Sequence, residues 1–229
     1  MSDFGHAFTF MGDHVHLLLT KIVEHLELSG AAIGVSILIA LPLGIWLGHI
    51  HRGSFIAVNL ANIGRALPSL AVIAIGLAVL GIGFLNVMVA LVILAVPPIL
   101  TNAYVAVDGV DPEAVEAARG MGMKPRQVLL SVELPLALPL IFAGIRTGAV
   151  YVIATATLAA IAGGGGLGDI IFNQANYGLP GVLAGAILVT ALAFAAEGLL
   201  SLVQRAVTPR GLRITRDPQL VERPVGMQV

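Results

Sequence analysis

Residues 66–107 read "ALPSLAVIAIGLAVLGIGFLNVMVALVILAVPPILTNAYVAV" and contain no Asp, Glu, Lys or Arg. A helix needs roughly 20 consecutive apolar residues to cross a bilayer, so this run is long enough for two crossings. The segment "GIGFLN" at 81–86 interrupts it with two glycines and an asparagine, which predicts a turn. The stretch therefore predicts a transmembrane hairpin with helices near 57–80 and 85–103.

The rest of the chain has the same apolar character. Only 11% of its 229 residues are charged and 58% are hydrophobic, whereas ordinary soluble domains carry about 25% charged residues. Other uncharged runs, at 28–51, 147–168 and 170–196, predict three more spans, near 30–50, 141–162 and 180–203. The runs are continuous and do not alternate, which excludes a membrane β-barrel. We expect an all-α polytopic membrane protein with about five transmembrane helices.

The basic residues predict an orientation. All but Lys21 of the 12 Lys and Arg residues fall on one side of the predicted bundle, and such residues collect in cytoplasmic loops. We therefore expect the N-terminus outside and the C-terminus in the cytoplasm. Residues 13–28 have helical apolar spacing but four charged residues, which predicts an interfacial helix within an outer segment, 1–28. The membrane domain is predicted at 29–204, and the tail 205–229 is predicted to be poorly ordered.

A compact polar stretch, "DPEAVEAARGMGMKPRQVLLSVELP" at 111–135, lies in the longest predicted cytoplasmic loop, 104–135. Its Asp-Pro start is typical of a helix N-terminus, because aspartate caps the free N–H groups and proline suits the first turn. Gly120 and Gly122 predict the end of that helix, and Pro125 predicts a second one. The closing Leu-Pro is expected to redirect the chain into the next span. By residue types alone, a solvated loop with helical propensity remains the alternative.

The same stretch resembles the cytoplasmic EAA loop of ABC importer permeases. That pattern is Glu-Ala-Ala, three residues, Gly, nine residues, Ile or Val, one residue, Leu-Pro, and the matching positions are Glu116, Ala117, Ala118, Gly122, Val132, Leu134 and Pro135. The resemblance implies the type I importer permease fold. It also implies a coupling helix that docks on a separate ATPase subunit, with Gly120 and Met121 belonging to the same contact.

Two further segments resemble permeases for osmoprotectants such as glycine betaine, choline, carnitine and proline betaine. They are "RALPSLAVIAIGLAVLGIG" at 65–83 and "AGIRTGAVYVIATATLAAIAGGGGLGDIIF" at 143–172. Ala66 and Leu67 depart from the Thr-Ile that the subfamily has before Pro-Ser-Leu. Methionine and phosphonate-type importers carry similar glycine runs, so an importer of that kind is the alternative.

The chain lacks the residues of an ATPase. A phosphate-binding loop needs GxxxxGK[ST], but "GGGGLGDI" at 163–170 has no Lys and the Lys of "GMGMKP" at 120–125 precedes a proline. There is no cysteine, no catalytic constellation, no metal motif and no basic patch for nucleic acid. We expect a non-catalytic subunit without a cofactor of its own, in which ATP and Mg²⁺ belong to the partner ATPase.

The resemblance further implies an extracytoplasmic substrate-binding protein and a location in the inner or plasma membrane of a bacterial or archaeal cell. No aromatic cluster suited to a quaternary ammonium group is visible, which places solute selection in the binding protein. Five spans are too few to enclose a passage, so we expect a dimer with a second copy or a related permease. An ATP-independent channel or carrier, and a membrane scaffold, are the alternatives of other classes.

Four residues are candidates for the translocation pathway or a gate: Arg65, Pro68, Ser69 and Arg146. Proline frees a backbone carbonyl within a membrane helix, so Pro68 and Ser69 predict a kink, either beside the pathway or for packing alone. Arg146 either snorkels to the cytoplasmic interface or turns into the cavity. Glu197 is expected to pair with Arg65 or Arg146.

The glycine run predicts an outer turn whose backbone other groups can approach closely. Gly165, Gly166, Gly168 and Asp169 are candidates for contact with the binding protein. A flexible linker is the alternative interpretation of this segment.

Overall fold

The computed structural model describes residues 2–208, except for the side chains of Ser2, Asp3, Ile56, Val58 and Arg65. Within that range the chain forms helices and no strand, as the sequence predicts. The α-helices are α1 (Ser2–Asp13), α2 (Val15–His49), α3 (Ser54–Ala66), α4 (Ser69–Leu80), α5 (Phe84–Asp108), α6 (Pro112–Gly120), α7 (Pro125–Val128), α8 (Leu134–Thr155), α9 (Gly168–Ile171) and α10 (Gln174–Val207). A π-helical turn, Leu129–Glu133, precedes α8, and a 3₁₀ segment, Ala156–Ala162, follows it.

Four of these helical segments in the described range are long and apolar enough to cross a membrane: Val15–His49, Phe84–Asp108, Pro125–Ala162 and Gln174–Val207. The predicted polytopic helical fold is thereby confirmed. A single helix at 57–80 was the wrong expectation, because Leu67 and Pro68 adopt extended backbone (ψ 115° and 119°) and separate α3 from α4. Proline disfavours helical conformation at the residue before it and offers no N–H, so the helix stops there.

The boundary predicted near residue 28, between an outer segment and the membrane domain, falls within a helix and stays a prediction. The structure carries one 35-residue helix, α2, through it. Ser29 and Gly30 keep helical backbone. Neither is followed by a proline that would disfavour the helical conformation. At 1.5 Å per residue α2 is roughly 50 Å long, which exceeds the hydrocarbon core of a bilayer. That its first turns lie on a membrane surface stays a prediction. The tail predicted to be poorly ordered begins at residue 205, but α10 continues to Val207. The rest of that prediction concerns residues 209–229, which lie outside the described range.

The predicted hairpin at 81–86 is confirmed. Gly81 and Gly83 have φ values of 75° and 138°, which favour glycine, and they separate α4 from α5. Asn86, only 2% exposed, closes the hairpin by donating from Nδ2 to the carbonyl of Ile73 at 3.5 Å.

Helix α5 is the centre of the fold and packs between α2 and α8. Glycines four residues apart let both neighbours approach it closely, as in small-residue packing of membrane helices. An added Cβ would lie 2.7 Å from Ala103 Cβ at Gly44 and 2.8 Å from the Tyr104 carbonyl at Gly48. On α8, Gly148 meets Ile99 in the same way, at 2.9 Å.

A second, smaller cluster lies at the opposite end of α2, where α1 packs on α10. Its buried members are Leu18, Leu167, Ile170 and Val189. The ring of Phe10 on α1 meets Tyr177 edge to face, with centroids 6.2 Å apart. The helix α1 was not anticipated by the sequence analysis, which treated its residues only as part of an outer segment.

Candidate functional site: a coupling segment and a membrane cavity

Residues 109–132, between the end of α5 and Glu133, form what we call the coupling segment. Its first helix, α6, begins as the sequence predicts, because the Glu113 N–H donates to Asp111 Oδ1 at 2.9 Å and Pro112 occupies the first turn. The helix ends at Gly120, and Gly122 adopts a left-handed φ of 85°. The glycine stop is therefore confirmed.

The two faces of α6 differ sharply. Val115 and Ala118, three residues apart, are buried and attach the helix to the hydrophobic core. Five predicted coupling residues are instead exposed and share the outer side of this turn: Glu116, Ala117, Gly120, Met121 and Gly122. Met121 is 75% exposed, which is unusual for a large apolar side chain in a polar segment.

The remaining predicted coupling residues lie on the inner side. Ala118 is 1% exposed, and Val132 and Leu134 pack against the same core. These contacts anchor the segment to its own chain, and a contact of these residues with a second subunit stays a prediction.

The Leu-Pro at 134–135 does not redirect the chain, contrary to expectation. Helix α7 continues through the π-helical turn into α8, where the Leu134 N–H donates to the Leu129 carbonyl. A wider turn fits here because Pro135 has no N–H for the Ser131 carbonyl and its ring needs room beside that carbonyl. The coupling segment therefore joins a membrane helix without a hinge loop.

A cavity of about 430 Å³ lies between α3, α5 and α8. Its polar residues are Thr101, Asn102, Thr147 and Tyr151, and none of its described lining residues is charged. Much of this polarity is used internally: Thr101 donates to the Ala57 carbonyl at 3.2 Å, and Asn102 donates to the Pro98 carbonyl at 2.8 Å.

Two consecutive prolines, Pro97 and Pro98, also line this cavity within α5. Because proline has no N–H, the carbonyls of Ile93 and Leu94 lack their usual helical donors. Leu94 itself lines the cavity. The lining thus combines apolar walls, a tyrosine ring and Leu94, whose carbonyl lacks its usual helical donor.

Pro68, Ser69 and Arg146 are not among the described residues that line this cavity. Pro68 produces the break between α3 and α4, so the predicted kink is confirmed, and Ser69 begins α4. Arg146 turns towards α10 and pairs with Glu197, with Nε 3.1 Å from Oε1, as one of the expected pairings had it. Its neighbour Thr147 lines the cavity, since adjacent helical residues point about 100° apart. The Arg65 side chain is outside the described atoms.

The glycine-rich turn contacts α2 of the same chain. Asp169 Oδ2 lies 2.7 Å from Lys21 Nζ, and the Gly166 N–H donates to Glu24 Oε2 at 2.9 Å. Lys21 and Glu24 also pair with each other at 2.8 Å. These predicted loop residues are thus held by contacts within their own chain, and their contact with a binding protein stays a prediction.

The imidazole of His25 lies directly beneath this turn. It is fully buried, and its Nε2–H donates to the Ile153 carbonyl at 2.9 Å. Gly166 allows this close docking, because an added Cβ there would lie 3.1 Å from His25 Nδ1, and Gly165 likewise faces Glu24. Sequence reasoning missed Lys21, Glu24 and His25 as a group. The pattern that could have identified them is the spacing of three polar residues at i, i+3 and i+4, which places them on one face of an otherwise apolar helix.

Sequence comparison finds close relatives over nearly the whole chain. The glycine betaine/carnitine/choline transport system permease protein OpuCB of Bacillus subtilis (strain 168) is 41% identical over 206 residues, covering 90% of this chain and 95% of that protein. The choline transport system permease protein OpuBB of the same organism is 40% identical over 91% of this chain and 96% of its own. The carnitine transport permease protein OpuCB of Listeria monocytogenes is 41% identical, with coverage of 91% and 96%.

Solved structures confirm the fold. A chain of the MetNI methionine ABC transporter in an inward-facing conformation matches with a TM-score of 0.72 at 24% identity, over 86% of this chain and 99% of that one. A chain of an amino acid ABC transporter crystallised with histidines matches with a TM-score of 0.68 at 20% identity, over 86% and 96%.

The family model for the binding-protein-dependent transport system inner membrane component matches residues 40–209. That range includes the coupling segment, the membrane cavity and the glycine-rich turn. The chain belongs to the family of binding-protein-dependent transport system inner membrane components, the permease subunits of ABC importers.

Proposed function

We propose that this chain forms part of the membrane passage for quaternary ammonium osmoprotectants such as glycine betaine, choline and carnitine. In the proposal a separate ATPase subunit drives transport by moving the coupling segment. The observation that carries it is α6, whose buried Val115 and Ala118 fix the helix to the core while Glu116 and Ala117 face outward. A short rigid helix held in this way presents a constant surface to a partner.

The solute class is supported by two observations. Relatives that are 40–41% identical are named for glycine betaine, carnitine and choline. A quaternary ammonium group has no N–H to donate, so it favours aromatic faces and diffuse negative potential over fixed acceptors. The cavity between α3, α5 and α8, whose described lining residues are uncharged and include Tyr151 and Leu94, matches that chemistry.

The proposed partners are the ATPase with its ATP and Mg²⁺, an extracytoplasmic substrate-binding protein, and a second permease copy or paralogue. Large apolar side chains at α4 and α10 are exposed in the single chain, among them Ile75 (66%), Val79 (76%) and Phe194 (72%). Lipid and a second permease are the surroundings that such faces need.

The proposed location is the cytoplasmic membrane of a bacterial or archaeal cell, with the N-terminus outside. The distribution of Lys and Arg supports this orientation, since the coupling segment and the C-terminal region carry most of them. In this orientation the coupling segment faces the cytosol, where an ATPase subunit is accessible.

The test is reconstitution of the chain in liposomes with its ATPase and binding protein. We expect uptake of labelled choline or glycine betaine only when ATP is supplied and the binding protein is present. Uptake of methionine in place of choline would overturn the solute class. Uptake by the purified chain without ATP would overturn the coupling to an ATPase.

A further inference from the structure

Both ends of the coupling segment are fastened to the same short stretch at the end of α2. Asp108, the last residue of α5, places Oδ1 2.9 Å from His51 Nδ1. Glu133, the last residue of the π-helical turn, places Oε2 2.6 Å from Nδ1 of His49, the last residue of α2. The two carboxylates that bracket residues 109–132 are therefore held by two histidines only two positions apart.

Of these two pairs, the one at Glu133 is buried. Glu133 is 1% exposed, and its second oxygen, Oε1, is buried without a hydrogen-bond partner among the described residues. Burying a carboxylate is destabilising unless it is paired, and an apolar residue of similar volume would stabilise such a site at least as well. The glutamate at this position is therefore better explained by the contact that it makes with His49 than by a gain in folding stability.

The other pair is more exposed, at 51% for His51 and 36% for Asp108, and exposed ion pairs contribute little by themselves. Asp108 also forms a hydrogen bond with the side chain of Tyr104, which in turn bonds Ser54 at the start of α3. This pair therefore belongs to a local network that includes α2, α3 and α5.

The end of α2 is fixed to α5 by close backbone packing. An added Cβ at Gly48 would lie 2.8 Å from the Tyr104 carbonyl, and 3.1 Å from the backbone nitrogen of Asp108. Helices this close move together, because packed interiors shift between discrete arrangements and do not deform continuously. His49 is carried on this α2–α5 unit.

We propose that His49 and Glu133 are a positioning pair that transmits movement of the coupling segment to the α2–α5 unit. This inference rests on the proposed function, since it presupposes an ATPase that moves α6. One end of the segment joins α5 through the short turn at 109–111, and the other reaches α8 through the π-helical turn, a weak point in the helical hydrogen-bond ladder. The His49 contact holds the last residue of that turn, so displacement of the segment moves both ends together.

The experiment uses the assembled importer in liposomes and measures solute uptake and ATP hydrolysis in the same sample. We expect His49→Ala and Glu133→Ala each to lower the number of solutes moved per ATP by about five-fold or more, a typical coupling factor. The double variant should be no worse than the poorer single one, because both remove the same contact. Glu133→Gln is nearly isosteric and still accepts a hydrogen bond from the imidazole, so it should retain most of the wild-type number of solutes moved per ATP.

The number of solutes moved per ATP does not depend on how much protein is folded, so a merely structural role of the pair would leave this number unchanged. Unchanged ratios in His49→Ala and Glu133→Ala, or additive losses in the double variant, would overturn the inference. Exposed residues on α2 supply the matched controls, His16→Ala and Glu27→Ala, which should behave as wild type. If the alanine variants fail to assemble, Glu133→Leu is compared with Glu133→Gln. Equal numbers of solutes moved per ATP in these two variants would refute the role of the His49–Glu133 pair.

The two proposals fail in different ways. A wild-type complex without ATP-driven uptake would contradict the proposed function itself. A wild-type complex that transports normally, with variants of unchanged ratio, would contradict only the positioning pair.

Discussion

Arg146 on α8 and Glu197 on α10 are joined by an ion pair, with Nε 3.1 Å from Oε1. Arg146 also donates to Gln204 Oε1 at 3.2 Å, and Gln204 Nε2 in turn donates to the Pro139 carbonyl at 2.7 Å. The network crosses from one apolar helix to the other and back. It accounts for two charges in helices that otherwise consist almost entirely of uncharged residues.

Removal of Arg146 should therefore weaken the packing of α8 on α10. We expect Arg146→Ala to lower the thermal midpoint of the purified chain, because it leaves Glu197 unpaired next to apolar surface. For a domain of this size each kcal/mol lost corresponds to about 2–4 °C. Glu197→Gln should have a smaller effect, since its amide oxygen still accepts from the guanidinium. An equal loss in both variants would show that the ion pair does not hold these helices together.

Gly76 on α4 is predicted to tolerate no side chain. An added Cβ would overlap Oδ1 of the buried Asn86 across the hairpin. Gly76→Ala should destabilise the chain by about 1–3 kcal/mol, the usual range for overpacking, measured by thermal unfolding in detergent. Adding Asn86→Ala should restore much of the loss. Gly198→Ala is the control, because Gly198 is helical with open space around it.

The packing of α2 on α5 provides a comparison within one helix. Gly48→Val should be strongly destabilising, because its side chain would meet the Tyr104 carbonyl and Val107. Gly34→Val, on the same helix, faces open space and should fold normally. Expression level and thermal midpoint are the measurements, and similar behaviour of the two variants would contradict the close approach of these helices.

The glycine-rich turn should lose its rigidity when its contacts with α2 are removed. We expect Asp169→Asn and Glu24→Gln to speed amide hydrogen exchange at 163–172 by about tenfold or more, since hydrogen bonds to charged groups contribute about 1.5–3 kcal/mol. Glu27→Gln, an exposed carboxylate one helical turn away, should leave the exchange unchanged. Protection that survives both variants would mean that backbone packing alone holds the turn.

The exposed side of α6 should affect coupling without affecting folding. Glu116→Lys changes an exposed residue, and Gly122→Asp places aspartate in a left-handed conformation that it tolerates better than most residues. Glu116→Lys should therefore keep the thermal midpoint, and Gly122→Asp should lower it only slightly, because a side chain at this φ is strained. Both variants should lower ATP-driven uptake in the assembled importer. Glu27→Lys serves as the control for charge reversal on an exposed helical face. Normal uptake by the two α6 variants would show that this surface is not the coupling contact.

Local patterns were sufficient for much of the fold. Uncharged runs predicted the long helices, and the glycines at 81 and 83 predicted the hairpin turn, because chain length and left-handed backbone are properties of a few adjacent residues. The cap at Asp111 and the stop at Gly122 were predictable for the same reason. Predictions were wrong where the same local signal allowed more than one structure. Pro68 ends a helix, whereas Pro135 is accommodated by a π-helical turn and the helix continues.

The sequence by itself determined that this is a helical membrane protein with a polar coupling segment, and its motif pointed to the permease family. Only the tertiary structure decided which residues of that motif face outward, that Arg146 turns to Glu197, and that Glu133 meets His49 across 84 positions of sequence. These pairings depend on how α2, α5, α8 and α10 pack against one another. Helix packing brings together side chains that no local periodicity relates, because their distance in space is set by the crossing of whole helices.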